Sequence, residues 1–227
     1  MSELGTKVSQ WHGRKISEMN ILIIGATRGI GIELLTQALD RWYQLAALVR
    51  NKASLTKDHK NLKVIQGDIL DADSVNQAVS GQDAVCVSIG IKPTRKPVSV
   101  FSEGTKNVIE AMQRFSVKKL ICVTGIGAGD SKNHGGFLYD RIFNPLLLKT
   151  VYADKDVQES MVRESGLEWI IVRPGFLTNG PRTGQYRAVT DLTGVTAGKI
   201  SRADVAHFIL DQLSSPSYMG QTPLLMY

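Results

Sequence analysis

The sequence is poor in cysteine, histidine and aromatic residues. Its 227 residues include two cysteines, Cys86 and Cys122, and four histidines, and phenylalanine, tryptophan and tyrosine together make up 7% of the chain. Two cysteines build neither a disulfide scaffold nor a cysteine-based zinc site, and the histidines lack metal-site spacing with acidic or cysteine partners. We therefore expect no metal ion and a fold that depends on its hydrophobic core.

Long apolar runs are also missing. Runs such as residues 21–24 and 146–148 fall far below the roughly 20 residues that cross a bilayer, and residues 1–18 lack the apolar centre of a signal peptide. The composition, 43% hydrophobic and 21% charged, excludes disordered, collagen-like and coiled-coil proteins. The net charge of +6 is spread along the chain without an RNA-binding signature. We expect a soluble, cytoplasmic protein that binds neither membranes nor nucleic acids.

The regular part of the sequence begins at Met19. Residues 1–18 are predicted to be an N-terminal extension of uncertain order, either a natural arm or a remnant of cloning. No repeat, low-complexity tract or Pro/Gly-rich linker divides residues 19–227, which we predict to be one domain.

From residue 20 onward, short apolar runs alternate with helical periodicity. Strands are predicted at 20–24, 45–49, 63–66, 84–88, 120–124, 169–172 and 224–226, and helices near 30–42, 71–79, 100–115, 151–164 and 201–213. Ser201 and Asp204 resemble a helix cap. This alternation predicts a doubly wound α/β fold with a parallel sheet, whose ligands bind at the carboxyl ends of the strands.

A glycine-rich turn follows the first predicted strand. It runs Gly25-Ala26-Thr27-Arg28-Gly29-Ile30-Gly31 and leads directly into a helix. Glycines permit the tight turn and bring the backbone close to a pyrophosphate, which the helix N-terminus stabilises. Such a motif is a weak signal alone, but here it has the strand–turn–helix context of a dinucleotide site. A structural turn without a nucleotide is the alternative.

The end of the second predicted strand indicates the type of cofactor. An acidic residue there usually binds the ribose hydroxyls of NAD, but this chain has Arg50-Asn51-Lys52. Arg50 lies 25 positions after Gly25, near the expected separation of about 20 residues. Arginine can bind a phosphate with two hydrogen bonds, and Arg28 adds a second cation. The pattern favours NADP(H), unless both arginines are ordinary surface residues.

A third candidate position follows the third predicted strand at Asp68 and Ile69. The carboxylate of Asp68 can accept a hydrogen bond from the adenine amine, and the next backbone amide can contact the ring. An ordinary turn aspartate is the alternative.

Together these residues resemble the short-chain dehydrogenase/reductase superfamily. Residues 25–31 are similar to its glycine motif, whereas residues 67–69, 103–112, 162–175 and 200–206 resemble the atypical NAD(P)H-binding or NmrA-like branch, which includes flavin reductase (biliverdin-IXβ reductase). The resemblance extends from residue 19 nearly to the C-terminus and implies a single Rossmann-like domain that binds NADP(H).

The resemblance also implies a set of cofactor contacts. It assigns the pyrophosphate to Gly25, Thr27, Arg28, Gly29, Ile30 and Gly31, the 2′-phosphate to Arg50, the adenine to Asp68 and Ile69, the ribose to Ser88, Ile89 and Gly90, and the nicotinamide to Pro174, Gly175 and Phe176.

The catalytic residues of the ordinary superfamily are only partly present. Ordinary members pair a tyrosine acid with a lysine four residues later and a hydroxyl at the end of the fifth strand. Lys155 resembles that lysine and Thr124 supplies a hydroxyl, but the tyrosine position is Val151. Tyr152 is displaced by about 100° around the helix, although a spacing of three still allows it to share a face with Lys155. Thr124, Tyr152 and Lys155 are therefore the catalytic candidates, and Thr124 and Lys155 are also candidates for cofactor contact.

Two functions remain open on this basis. One is an NADPH-dependent oxidoreductase that passes hydride to a flavin, quinone or other conjugated acceptor. The other is a non-catalytic NADP(H)-binding redox sensor. In either case we expect a small-molecule ligand and a monomer or weak homodimer.

Two further expectations concern local structure. The glycine-rich stretch from Gly125 to Gly136, continuing to Asn144-Pro145, is predicted to be a lid or substrate loop. Cys86 and Cys122 are predicted at matching heights on neighbouring strands, on the same face, buried and reduced.

Overall fold

The computed structural model describes residues 19–137, 140–141 and 148–227, together with the backbone of two short strands, β1 (Gln10–Trp11) and β2 (Arg14–Lys15). These strands pair antiparallel, with Gln10 opposite Lys15. They lie within the predicted N-terminal extension, and nothing further is described of that segment.

The remaining elements alternate along the chain much as the periodicity predicts. The strands are β3 (Asn20–Ile24), β4 (Gln44–Val49), β5 (Leu62–Gln66), β6 (Ala84–Val87), β7 (Lys119–Val123), β8 (Glu168–Pro174), β9 (Phe176–Thr178), β10 (Arg187–Val189), β11 (Lys199–Ser201) and β12 (Leu224–Met226). The helices are α1 (Gly29–Asp40), α2 (Ala72–Val79), α3 (Val100–Arg114), α4 (Lys149–Glu164) and α5 (Arg202–Ser214).

In the described part of the chain the main sheet has eight strands in the order β10-β12-β8-β7-β6-β3-β4-β5. All neighbours are parallel except β10 and β12. The order reverses at β3, whose neighbours are β4 and β6, and a ligand crevice forms at such a switch point. The predicted doubly wound, Rossmann-like fold is confirmed.

The sheet separates two layers of core. Ile21 and Ile23 of β3 pack with the apolar sides of α1 and α5, whereas Leu22 and Ile24 face the layer that includes α2 and α3. This alternation follows from the two-residue period of a strand, and it fixes both layers against one sheet.

Helix α5 begins as predicted. The Ser201 hydroxyl oxygen accepts a hydrogen bond from the Asp204 backbone N–H at 3.0 Å, which caps the helix. Farther along, the buried Gln37 side chain of α1 donates to the Ala203 carbonyl oxygen at 2.9 Å. These contacts hold the first turn of α5 beside α1. No helix in the described part of the chain is both long and apolar enough to cross a membrane.

The predicted alignment of the two cysteines is wrong. Cys86 lies opposite Ile121, and Cys122 lies opposite Val87, so the two positions are offset by one residue. A one-residue offset reverses the face of a strand, and the two thiols accordingly lie in different core layers. Both are free and buried, and burial raises the pKa of each thiol to about 12.

This burial predicts that the thiols do not react in the native protein. Thiol titration should find neither Cys86 nor Cys122 reactive before unfolding and both reactive in denaturant, because a thiolate is disfavoured in each core layer. Rapid labelling of either cysteine in the folded protein would contradict the placement.

Candidate functional site

A cleft of about 1390 Å³ opens where the carboxyl ends of β3, β4, β6 and β7 meet. It lies at the expected switch point, and most of the predicted cofactor residues line it. Those residues are Gly25, Thr27, Arg28, Gly29, Ile30, Arg50, Asp68, Ile69, Ser88, Ile89, Gly90, Thr124, Lys155 and Pro174.

Two glycines of the turn permit close backbone approaches. A Cβ at Gly25, where φ is +96°, would lie 2.4 Å from the Ser88 carbonyl oxygen. A Cβ at Gly31 would lie 2.0 Å from the Gly25 carbonyl oxygen. Gly31 is outside the cleft lining, so its part is to let α1 pack directly on the turn. Gly25 and Gly31 thus let the turn pack directly against the end of β6 and the start of α1.

The N-terminus of α1 is available to an anion. Its N-cap residue, Arg28, makes no side-chain capping hydrogen bond, and the first turn contains no acidic residue. The first-turn N–H groups and the positive end of the helix dipole are therefore at the cleft without a cap from Arg28, an arrangement that suits a phosphate. Glu33, one residue beyond the first turn, is the acidic residue of α1 in the lining.

Basic side chains predominate around this end of the cleft. Arg28 donates a hydrogen bond to the Gly90 carbonyl oxygen at 2.7 Å and so spans the gap between the glycine turn and the end of β6. Arg50 is exposed at the end of β4. The next residue, Asn51, accepts a hydrogen bond from the Ala53 N–H at 3.0 Å and starts a short 3-10 turn. The position that carries an acid in NAD-binding sites is therefore basic here.

The turn after β5 is supported by α3. The Asp68 carboxylate accepts a hydrogen bond from the Leu70 N–H at 3.1 Å. Asn107 donates to the Ile69 carbonyl oxygen at 2.9 Å, and a Cβ at Gly104 would lie 2.9 Å from the Ile69 side chain. The Gly104 and Asn107 positions, which carried part of the family resemblance, thus hold the predicted adenine-binding turn in place.

Thr124 and Lys155 meet at the end of β7. The Lys155 ammonium donates to the Thr124 carbonyl oxygen, and the Thr124 hydroxyl donates to the Glu159 carboxylate at 2.7 Å. Burial lowers the pKa of Lys155 to about 8. The Thr124 hydroxyl therefore points to the buried Glu159 carboxylate. Lys155, at the wall of the cleft, loses its proton more easily than an ordinary lysine.

Tyr152 lies beside this pair and outside the cleft lining. The Lys155 ammonium is 5.9 Å from the centre of the Tyr152 ring and 4.9 Å from that of Phe101. The Tyr152 hydroxyl is directed toward Gly125, 3.5 Å from the position of a Cβ there. The residue four before Lys155, Val151, is a buried apolar side chain. The ordinary tyrosine–lysine arrangement is therefore absent from the described residues of the cleft.

Sequence reasoning missed a buried ion-pair network behind the site. Arg173 of β8 is completely buried, and its Nε donates to the Glu159 carboxylate at 3.0 Å. It also pairs with Asp130. Although burial opposes it, contact with these two carboxylates raises the pKa of Arg173. Glu159 thus joins Arg173 to Thr124. In the sequence, the sign of this network is an arginine at the end of an otherwise apolar strand. That arginine belongs to a stretch that resembles the family, but the sequence does not indicate which carboxylate it contacts.

The expected lid is packed where the structure describes it. Ile126, Ala128 and Ser131 are buried. The Gly129 N–H donates to the Asp156 carboxylate at 2.8 Å, which ties this segment to α4. Residues 125–131 are therefore a fixed support for the end of β7, and the lid expectation is wrong for them. Residues 138–139 and 142–147, which include Asn144-Pro145, lie outside the described residues.

Of the three residues predicted to contact the nicotinamide, one lines the cleft and the other two lie outside its lining. Pro174 lines the cleft, as does Leu177, which was not predicted. Phe176 packs instead against a small third cluster of apolar residues around Leu224 and Met226. A Cβ at Gly175 would lie 2.3 Å from the Gly198 carbonyl oxygen, so this glycine permits close packing of the β8–β9 corner.

The histidines take part in local hydrogen bonds. His59 accepts from the Asn61 N–H, and His134 and His207 bond to the Val195 carbonyl oxygen and the Tyr186 hydroxyl. His12 lies outside the described residues. No cluster of three or more potential metal ligands occurs within the part of the chain that the structure describes.

The fold and the cleft together define a Rossmann-like nucleotide-binding protein. The sequence signature of the NAD(P)H-binding family matches residues 25–216, and the chain belongs to that family.

Individual relatives are distant. An uncharacterized chloroplast protein of Arabidopsis thaliana is 28% identical over 211 residues, which cover 87% of this chain and 73% of that protein. The anaerobilin reductase ChuY of Escherichia coli O157:H7 has a TM-score of 0.77 at 24% identity, covering 92% of this chain and 97% of ChuY. A short-chain dehydrogenase/reductase of Veillonella parvula, solved in complex with NADP, has a TM-score of 0.77 at 18% identity, covering 92% and 94%. The two structural matches concern the fold.

Proposed function

We propose that this protein is an NADPH-dependent oxidoreductase that reduces a conjugated small-molecule acceptor, such as a flavin or quinone. The observation that carries the proposal is the cleft itself, in which an uncapped helix N-terminus and a glycine turn lie beside Arg28 and Arg50. We further propose that the chain acts as a cytoplasmic monomer or weak homodimer.

The preference for NADPH is supported by the charges at the end of β4. A 2′-phosphate placed there would meet the Arg50 guanidinium, whereas a ribose hydroxyl would find no carboxylate at residues 50–52. The existence of an NADP complex in a protein of the same fold, that of V. parvula, agrees with this preference.

The choice of acceptor follows from the groups near Lys155. NADPH, when bound in the cleft, would supply a hydride. The Thr124 hydroxyl donates to Glu159, and Tyr152 lies outside the lining, so the described cleft holds no tyrosine acid placed as in ordinary alcohol dehydrogenases. A conjugated acceptor needs little help from a protein acid, because it delocalises the added electron pair and takes its proton from water. The name of ChuY, an anaerobilin reductase, is consistent with chemistry of this class.

Steady-state oxidation of NADPH with a panel of flavins, quinones and simple carbonyl compounds tests the proposal. We expect turnover with at least one conjugated acceptor and little with isolated ketones. A complete lack of acceptor-dependent oxidation would contradict the enzymatic function.

Substitution of Arg50 tests the nucleotide preference. Arg50→Ala should weaken NADPH binding by roughly ten- to a hundredfold, because a charge-assisted hydrogen bond contributes about 1.5–3 kcal/mol, and should leave NADH binding nearly unchanged. Lys52→Ala is the matched control, since that cation is two residues away and outside the lining. Equal losses for the two nucleotides would show that Arg50 does not contact the 2′-phosphate.

The lowered pKa of Lys155 predicts a pH dependence of binding. A bound anionic cofactor favours the protonated lysine, so affinity for NADPH should fall as pH rises through about 8, where the free protein loses this charge. The loss should reach about tenfold between pH 7 and pH 9 if the proton is fully retained in the complex. Calorimetry at several pH values measures it, and Lys155→Met should flatten the profile. A flat profile in the unaltered protein would contradict the prediction.

A redox sensor that binds NADP(H) without turnover is the second candidate. It is favoured by the engagement of both Thr124 and Lys155 in hydrogen bonds within the protein. Tight binding of NADPH with no oxidation by any acceptor would support the sensor, and rapid turnover would exclude it.

A further inference from the structure

Arg202 reaches the glycine turn from the other end of the chain. It is the first residue of α5, and its Nε lies 3.8 Å from the position that a Cβ at Gly29 would occupy. Gly29 is the first residue of α1, whose N–H groups face the cleft. Arg202 itself is part of the cleft lining.

The fold holds Arg202 in this place through contacts on both sides of it. Ser201 and Asp204 fix the first turn of α5, and Gln37 of α1 donates to the carbonyl oxygen of Ala203, the residue after Arg202. At the C-terminal end of α1, its C-cap residue Arg41 pairs with Asp211 of α5 at 2.9 Å. These contacts pack α5 against the C-terminal half of α1, and the Arg202 side chain extends from the start of α5 to Gly29.

One edge of the guanidinium is oriented by a neighbour. Arg202 donates to the Asn179 side-chain oxygen at 2.7 Å, and Asn179 also lines the cleft. This is the one hydrogen bond of the Arg202 guanidinium within the described part of the chain, so its other N–H groups are available to a ligand. An oriented arginine with unused donors beside a helix N-terminus suits an anion with several oxygens.

We propose that Arg202 is a cofactor-binding residue that contacts the pyrophosphate, with Asn179 as its positioning residue. This inference rests on the proposed function. It assigns the two arginines different phosphates: Arg50, at the end of β4, contacts the 2′-phosphate, and Arg202, beside Gly29, contacts the pyrophosphate that NADPH and NADH share. The expected consequence is that Arg202 supports binding of every dinucleotide and contributes nothing to the choice between them.

Calorimetric titration with NADPH, NADH and ADP-ribose tests this division. ADP-ribose contains the pyrophosphate but neither the nicotinamide nor the 2′-phosphate. Arg202→Ala should weaken all three by about the same factor, roughly tenfold for one partly exposed charge-assisted contact. Asn179→Ala should weaken all three by a smaller common factor, and Arg202→Lys should restore part of the loss. Arg187→Ala, at an exposed arginine on β10 outside the lining, is the matched control and should bind as the unaltered protein does.

The outcomes separate this inference from the proposed function. Unchanged affinities in Arg202→Ala, with NADPH bound normally by the unaltered protein, would overturn the role of Arg202 alone. So would an increased KM for the acceptor with unchanged nucleotide affinity, since the guanidinium would then bind the acceptor. A loss confined to NADPH would place Arg202 at the 2′-phosphate and also overturn the assignment. Failure of the unaltered protein to bind any of the three nucleotides would overturn the proposed function together with this inference.

Discussion

Glu159→Ala is expected to lower the free energy of unfolding by about 3–5 kcal/mol, because it leaves a buried arginine without its main counter-charge. Arg173 is completely buried and Glu159 is 2% exposed, so water cannot replace the lost carboxylate. Asp130 still pairs with Arg173, but its side chain is 66% exposed and cannot supply the contacts that Glu159 makes inside the protein. Denaturant unfolding followed by circular dichroism measures the change.

Three further variants show whether charge or packing is responsible. Glu164→Ala, at an exposed position on the same helix, should have little effect. Glu159→Gln keeps the volume and one acceptor for Thr124, and should still be strongly destabilised because Arg173 loses its counter-charge. The double variant Glu159→Leu/Arg173→Met removes both charges and should be more stable than Glu159→Ala, since an apolar replacement of a buried pair is often neutral. A loss below about 1 kcal/mol in Glu159→Ala would contradict the network as described.

Gly31→Ala is expected to weaken NADPH binding on the order of a hundredfold, because it displaces the backbone that receives the pyrophosphate. Its Cβ would lie 2.0 Å from the Gly25 carbonyl oxygen, whereas ordinary contacts begin near 3.4 Å. The first turn of α1 must therefore move away from the glycine turn by more than 1 Å, and both elements contribute to the anion site.

Gly180→Ala is the matched control for this substitution. Gly180 is outside the cleft lining, and a Cβ there would make only ordinary contacts at 3.6 Å. Fluorescence titration with NADPH should give a nearly unaltered affinity for Gly180→Ala, and circular dichroism should show that both variants are folded. Normal NADPH affinity in a folded Gly31→Ala protein would contradict the placement of the cofactor at this turn.

The main elements were predictable because their signals are local. Residues 20–24 form an uninterrupted apolar strand that ends at a glycine, and the Ser201–Asp204 cap marks the start of α5 within the sequence itself. Strands β9, β10 and β11 were not predicted, because each has only three residues and none is an uninterrupted apolar run like residues 224–226. They exist through pairing with distant segments, as Phe176 does with Lys199.

The parts of the site that depend on tertiary contacts were beyond the sequence. The register between β6 and β7 is set by the whole sheet. Counting residues from the predicted strand ends therefore could not show which face of the sheet each of Cys86 and Cys122 occupies. Arg202 follows Gly29 by more than 170 residues, and only the packing of α5 on α1 brings its side chain to the cleft. The glycine turn itself was predictable, because strand, turn and helix are consecutive.

Calorimetric titration of the unaltered protein with NADPH and NADH tests the central claim most directly, that the cleft is an NADP(H) site. We predict that one NADPH binds per chain, with an affinity at least about tenfold higher than that for NADH. The difference is expected because the additional phosphate makes charge-assisted hydrogen bonds that NADH cannot make. Equal affinities, or no binding of either nucleotide, would contradict the account.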